Sequence, residues 1–167
     1  VEYNKVKINF VDAPGFFDFA GEVQSALRAV EAAAILVDAS AGIQVGTEKA
    51  WAACKKAEMP RFFILNKTDK ENVDVEKTIE ELKAKFGTSV VTLDDRDALS
   101  EAIAEVDEEL MEIYFDAGEF TDEQFSKGLV KGISSGDIAP VFACSAVTGQ
   151  GIKEVLEQLI KYVPVAT

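Results

Sequence analysis

Histidine is missing altogether from the 167 residues, which removes imidazole from this chain as a general base, a proton shuttle or a metal ligand. Cysteine is scarce. Cys54 and Cys144 are the two present; their separation fits no metal-ligand spacing and each lies in an apolar segment. They read as buried thiols of a reducing compartment. No stretch approaches the roughly 18 apolar residues of a membrane-crossing helix, and the start has no signal-peptide pattern. The expectation is a cytoplasmic protein without a membrane partner. Basic side chains are outnumbered, 17 Lys and Arg against 30 Asp and Glu, for a formal charge of −13. That balance argues against direct nucleic-acid binding by the surface at large, and is otherwise explained by a solvated acidic exterior.

What remains is enough for one core. The hydrophobic share of 48% suits one soluble domain, or one domain carrying an insertion. The most informative stretch is Phe62-Phe63-Ile64-Leu65-Asn66-Lys67-Thr68-Asp69. Four apolar residues in a row predict a strand buried on both faces, as in a parallel sheet. The polar residues that follow fall where such sheets bind ligands, at the carboxyl end of a strand. Asn66, Lys67 and Asp69 form N-K-x-D. A fixed carboxylate at Asp69 can accept two parallel N–H bonds from guanine, a donor pair that adenine lacks, so such a site rejects adenine. Asn66 could bond the base or tie neighbouring loops, and the Lys67 stem could cover the purine face. Taken alone, the tetrapeptide reads equally well as a strand end passing into an Asx-type turn and helix cap.

The rest of the chain alternates. Val1 to Val11 suggests a hairpin whose second strand enters the sheet and ends at Asp12. Asp12-Ala13-Pro14-Gly15 follows: Gly15 could bring a bare N–H to a phosphate, and Asp12 could hold Mg²⁺ through water. By itself it is also an ordinary D-x-P-G turn. Phe16, Phe17 and Phe19 suggest an apolar patch or packed loop. Gly21 to Val30 is helical in spacing, and Ala32 to Asp38 reads as a second strand buried on both faces. Thr47 is the expected N-cap of a helix running to about Glu58. Val75, Ile79, Leu82 and Phe86 mark a helix stopped by Gly87. The order β-β-α-β-α-β-α predicts a parallel sheet with helices on both faces. Residues 88–137 break the alternation with a short Val90–Leu93 segment and two amphipathic helices. The first carries Leu99, Ile103, Val106, Leu110 and Ile113 inward; the second opens on a Thr121 to Gln124 capping box stapled by Phe120 and Phe125. They read as an inserted subdomain within a domain formed by 1–87 and 138–167, or as ordinary helices of one domain. Ala139 to Cys144 is a further strand, ended by Ser145-Ala146, and a helix from about Gly151 stops at Pro164.

Three strand ends thus carry D-x-P-G, N-K-x-D and S-A, in that order, along one predicted edge. In this the chain resembles, over essentially its whole length, the GTP-binding domain of translational GTPases. It is most similar to elongation factor G and its paralogues. Asp12 to Val23 (D-A-P-G-F-F-D-F-A-G-E-V) resembles that family's D-T-P-G-H-x-D-F-x-x-E-V, and the 88–137 insertion resembles a shorter form of its extra subdomain. The resemblance implies a P-loop-NTPase-like α/β fold, GTP/GDP and Mg²⁺ as ligands, and the ribosome as partner. It implies that Asp69 and Asn66 read guanine, that Lys67 packs on the nucleotide, and that the Ala146 N–H after Ser145 faces the guanine oxygen. It implies Asp12 on Mg²⁺ through water, Gly15 on the γ-phosphate, and a switch helix after Gly15.

Two departures shape the expectation. No G-x-x-x-x-G-K-[ST] occurs, so the lysine for the β,γ-phosphates and the hydroxyl for Mg²⁺ are not among these residues. The family places them upstream, which predicts an N-terminally truncated domain, inactive alone and weak in GTP binding. Phe16 stands where the family has its water-positioning His, which predicts slow hydrolysis by an intact parent, or a binding module with little hydrolysis. In the family the phosphate-loop strand lies between the strands ending at Asp12 and Asp38. Its loss predicts that these re-pair, that elements swap between copies in self-association, or that a gap is left.

Overall fold

The computed structural model describes residues 1–15, 18 and 20–165. A two-stranded hairpin comes first, β1 (Glu2–Tyr3) antiparallel to β2 (Val6–Lys7). Asn4 and Lys5 both take positive φ, 48° and 65°, the arrangement of a tight I′-type hairpin turn. The hairpin leans on the last helix, where the Tyr3 hydroxyl donates to Glu157 at 3.0 Å. It does not join the main sheet, so the expected entry of its second strand is corrected. Residues 8–15 carry no strand, and Phe10 and Val11 are exposed.

The main sheet is parallel and four-stranded among the described residues. Its order is β3 (Ala33–Asp38), β4 (Arg61–Asn66), β6 (Ala139–Ala143), β5 (Val90–Val91). α1 (Ala20–Leu27) precedes β3, and α2 (Val45–Lys56) and α3 (Val75–Phe86) connect β3 to β4 and β4 to β5. α4 (Arg96–Ala104), α5 (Glu108–Ala117) and α6 (Asp122–Ser135) separate β5 from β6, and α7 (Ile152–Tyr162) closes the chain. The expected α/β architecture is present.

β4 is buried on both faces, as its composition demands. Phe63 and Leu65, both 0% exposed, face a core with Trp51, Leu82 and Phe86. There the Trp51 ring stacks on Phe63 at 5.3 Å, and Phe86 closes the cluster at 4.8 Å from Trp51. Phe62 faces the other way, against Val155 and Leu159 of α7, with Ile64 and Phe142 alongside. Each such large apolar side chain contributes about 1.5–3 kcal/mol by leaving water. β3 differs from expectation. Ile35 and Val37 are buried, but Leu36 is 63% exposed and Ala34 also faces solvent. The reason is position: β3 is an edge strand, and the α7 cluster on the second face includes no residue of β3. Its outer edge pairs with no strand among the described residues, so neither re-pairing with the Asp12 segment nor a complete six-stranded sheet is seen.

The helical segment is also reshaped. Its expected first helix is two: α4 stops at Ala104, and Asp107 caps α5 by accepting the Leu110 N–H at 2.8 Å. An Asp whose side chain captures a backbone N–H competes with helix continuation and starts a new one. Thr121 and Gln124 form the expected reciprocal capping box, at 3.3 and 3.0 Å. α6 lies so close to its neighbours that a side chain at Gly132 would meet Ile138 Cδ1 at 2.5 Å. Val91, Ile138 and Tyr162 share the core of α4 and α6, and β5, inside 88–137, belongs to the main sheet. At α2 the cap is Gln44 rather than Thr47. Thr47 is the third helical residue, and its hydroxyl accepts the Gln44 N–H at 3.2 Å.

Candidate functional site

Parallel pairing in register brings the carboxyl ends of three strands together. Asp38 pairs with Asn66 across β3 and β4, and Leu65 with Ala143 across β4 and β6. The loops leaving Asn66 and Ala143 are therefore neighbours, and their side chains are cross-linked. Asn66 Oδ1 accepts the Ala146 N–H at 3.0 Å and the Lys67 N–H at 2.8 Å. The Thr68 hydroxyl donates to the Cys144 carbonyl at 3.1 Å. Ser145 is wholly buried; its hydroxyl donates to Asp69 Oδ1 at 2.5 Å and accepts the Thr148 N–H at 3.1 Å. A buried hydroxyl that both donates and accepts offsets the cost of leaving water.

These bonds fix what the loop presents. Asp69 is exposed, and among the described residues its Oδ2 takes no hydrogen bond, so the carboxylate keeps free acceptor capacity. Asn66 proves to be the residue that ties the two loops. Ala146 is exposed, but its N–H is already engaged by Asn66. Cys144 beside them is buried, and burial pushes its thiol above the usual range. A neutral thiol is neither nucleophile nor metal ligand.

The loop is also held from the β3 side. Lys67 has φ +66°, a left-handed conformation that costs an L-residue about 1–2 kcal/mol. Its ammonium lies 2.5 Å from Asp38 Oδ2, and Lys70 lies 3.7 Å from the same oxygen. Ser40 donates its N–H and hydroxyl to Asp38 Oδ1 at 2.9 and 2.6 Å. The Lys67 hydrogen bond first, then those of Ser40, hold the Asp38 carboxyl well below the usual carboxylate range. A lowered folded-state value means that this contribution to stability is complete above about pH 4 and is lost as the pH falls further. Sequence reading passed over Asp38, Thr68 and Thr148. Asp38 carried the same signal as Asn66, a polar residue ending an apolar strand.

Gly151 completes the arrangement. It caps α7 with φ +77°, and a Cβ there would collide with the Ala143 carbonyl and lie 3.0 Å from Cys144 Cα. Only glycine lets α7 start directly against the strand that delivers Ser145.

The Asp12–Gly15 turn stands apart. Asp12 and Gly15 are exposed, and no hydrogen bond among the described residues ties them to Asn66, Asp69 or Ser145. Pro14 and Gly15 instead line a groove of about 180 Å³ with Val23 of α1 and Ala50 and Ala53 of α2. Phe16, Phe17 and Phe19, and any role of Phe16 in place of a His, lie outside the described residues. Among the described residues no group of three or more acidic, Cys or His side chains converges, so Asp12 has no companions there for a metal. The residues present offer an exposed carboxylate acceptor at Asp69; they do not by themselves fit phosphates with Mg²⁺.

A family model described as the elongation factor Tu GTP binding domain matches residues 1–165. A crystal structure of a protein from Thermus thermophilus is similar at a TM-score of 0.76 and 28% identity over 92% of this chain. The chain spans 29% of the length of that one.

Proposed function

The chain belongs to the family of elongation factor Tu GTP-binding domains, and from that premise we propose that it supplies the guanine-reading part of an elongation-factor-G-like translational GTPase. The observation that carries this is the cross-linking of Asn66, Asp69, Ser145 and Ala146 at one sheet edge. Two loops far apart in sequence hold each other through the residues that the family motif names. In this reading the ring and exocyclic N–H groups of guanine donate to Asp69, held in place by Ser145. The Lys67 stem covers the ring face, and the Ala146 loop, held by its N–H bond to Asn66, borders the base. Rigid placement before binding is what makes rejection of adenine steep.

The β,γ-phosphates and Mg²⁺ would be held by the family's phosphate loop, which this sequence does not contain, with Asp12 and Gly15 adding a water-mediated metal contact and an amide. No hydrolytic step is assigned to these residues. The parent would act as a GTP/GDP switch on the ribosome in the cytoplasm, and no helix of the described residues is long and apolar enough to cross a membrane. Phe16 in the position of the family's His favours a second reading, a nucleotide-binding module with little hydrolysis. Residues 88–137 would serve as the inserted subdomain, trimmed by β5.

Calorimetry on the full-length protein tests the first point. GDP and GTP should bind, with ADP at least about 1,000-fold weaker; no binding of either guanine nucleotide would end the proposal. Single-turnover hydrolysis with and without ribosomes, before and after Phe16→His, separates switch from binding module. A rise on substitution places the parent among slow GTPases.

A further inference from the structure

Base recognition accounts for the bonds that join the Asn66–Asp69 loop to Ser145 and Ala146, but not for those on its other side. Lys67 occupies a left-handed backbone position, and its side chain reaches across to the neighbouring strand, 2.5 Å from Asp38 Oδ2. Lys70, from the same loop, lies 3.7 Å from that oxygen and donates to the Ser40 hydroxyl at 3.0 Å. Ser40 in turn occupies Asp38 Oδ1 through its N–H and hydroxyl. The carboxylate is thereby fixed in orientation, with one oxygen aimed at the two lysines.

A half-exposed ion pair adds little to folding, and backbone strain at Lys67 opposes it. What the geometry does specify is direction. A lysine stem is long and flexible, and its placement has to be ordered before it can cover a ring face. Asp38, paired in register with Asn66, anchors the far end of that stem at the edge where Asp69 stands.

We propose that Asp38 is a positioning residue for purine recognition: it holds the Lys67 ammonium so that the stem lies ready as the floor beneath the base. The proposal rests on the guanine reading of Asp69 and the loop that Asn66 ties. Ordering the stem in advance removes part of the entropy loss of binding.

A double-mutant cycle on the full-length protein decides it, with GDP affinity measured by calorimetry. Lys67→Met keeps an apolar stem and removes the ammonium. Asp38→Asn should weaken GDP binding about five-fold when Lys67 is present, the scale of ordering one rotamer-rich side chain. In the Lys67→Met background it should change affinity less than about two-fold. Asp38→Glu, which still reaches the ammonium, should recover most of the loss. A role confined to the Ser40 turn would give equal losses in both backgrounds and overturn the proposal, as would no loss in the first. If the unsubstituted protein binds no GDP, the guanine reading itself fails and takes this proposal with it.

Discussion

The Asn66–Asp69 loop and the Asp12–Gly15 turn follow one recipe in sequence, an apolar run broken by a short polar motif. The structure treats them differently. The first leaves a strand buried on both faces, between β3 and β6, and its side chains are bonded to loops on each side. The second leaves a segment that pairs with no strand among the described residues, and its Asp and Gly are exposed. A motif becomes a rigid site when the strand beneath it has neighbours whose own ends can be bonded. The polar residues themselves are common to both.

The sharpest way to break that comparison is a pair of glycine substitutions, one behind each motif. Gly151→Ala should destabilise the protein by about 3 kcal/mol in urea unfolding, combining a positive φ with overpacking against Ala143 and Cys144. A loss under about 0.5 kcal/mol would mean that α7 and the Ser145 loop are not locked together. Next in size is Ser145→Ala, which leaves the Thr148 N–H unpaired and Asp69 untethered. The expected cost is about 1–3 kcal/mol, accompanied by weaker GDP binding in the same calorimetric assay. If stability falls while GDP binding stays put, Asp69 needs no tether. The smallest effect is expected at Gly15→Ala. Among the described residues beyond its chain neighbours, no atom lies within 4 Å of a Cβ there, so the unfolding free energy should move by no more than about 0.5 kcal/mol. Any change should appear in preference for GTP over GDP. A large stability loss would show the turn to be packed after all, and the contrast with Asn66–Asp69 would narrow.

Much of the fold was legible because its signals are local. The two faces of β4, the Gly87 stop and the Thr121–Gln124 capping box each depend on residues within a few positions. The N-K-x-D and S-A motifs were legible as a pair for a different reason. Parallel strands place their carboxyl ends on one edge whatever the loops between them do. Where reading failed, either a distant neighbour decided the outcome or two local patterns competed for the same residues. Leu36 looked like core, yet its exposure depends on which strand lies beside β3 and how far α7 reaches. A single helix from Leu99 to Ile113 satisfied the periodicity, but Asp107 found the Leu110 N–H. Thr47 had the chemistry of an N-cap, but the helix began two residues earlier.

What the amino-acid order determined by itself was therefore most of the elements, the parallel arrangement of the main sheet and the residues offered at its strand ends. Tertiary structure decided which of those residues are held. It bonded Asp69 to Ser145, turned Asn66 into a link between loops, brought Asp38 onto Lys67 and left Asp12 in solvent. Each outcome turns on a contact of a few ångströms between segments tens of residues apart, and residue spacing along a chain carries no record of such distances.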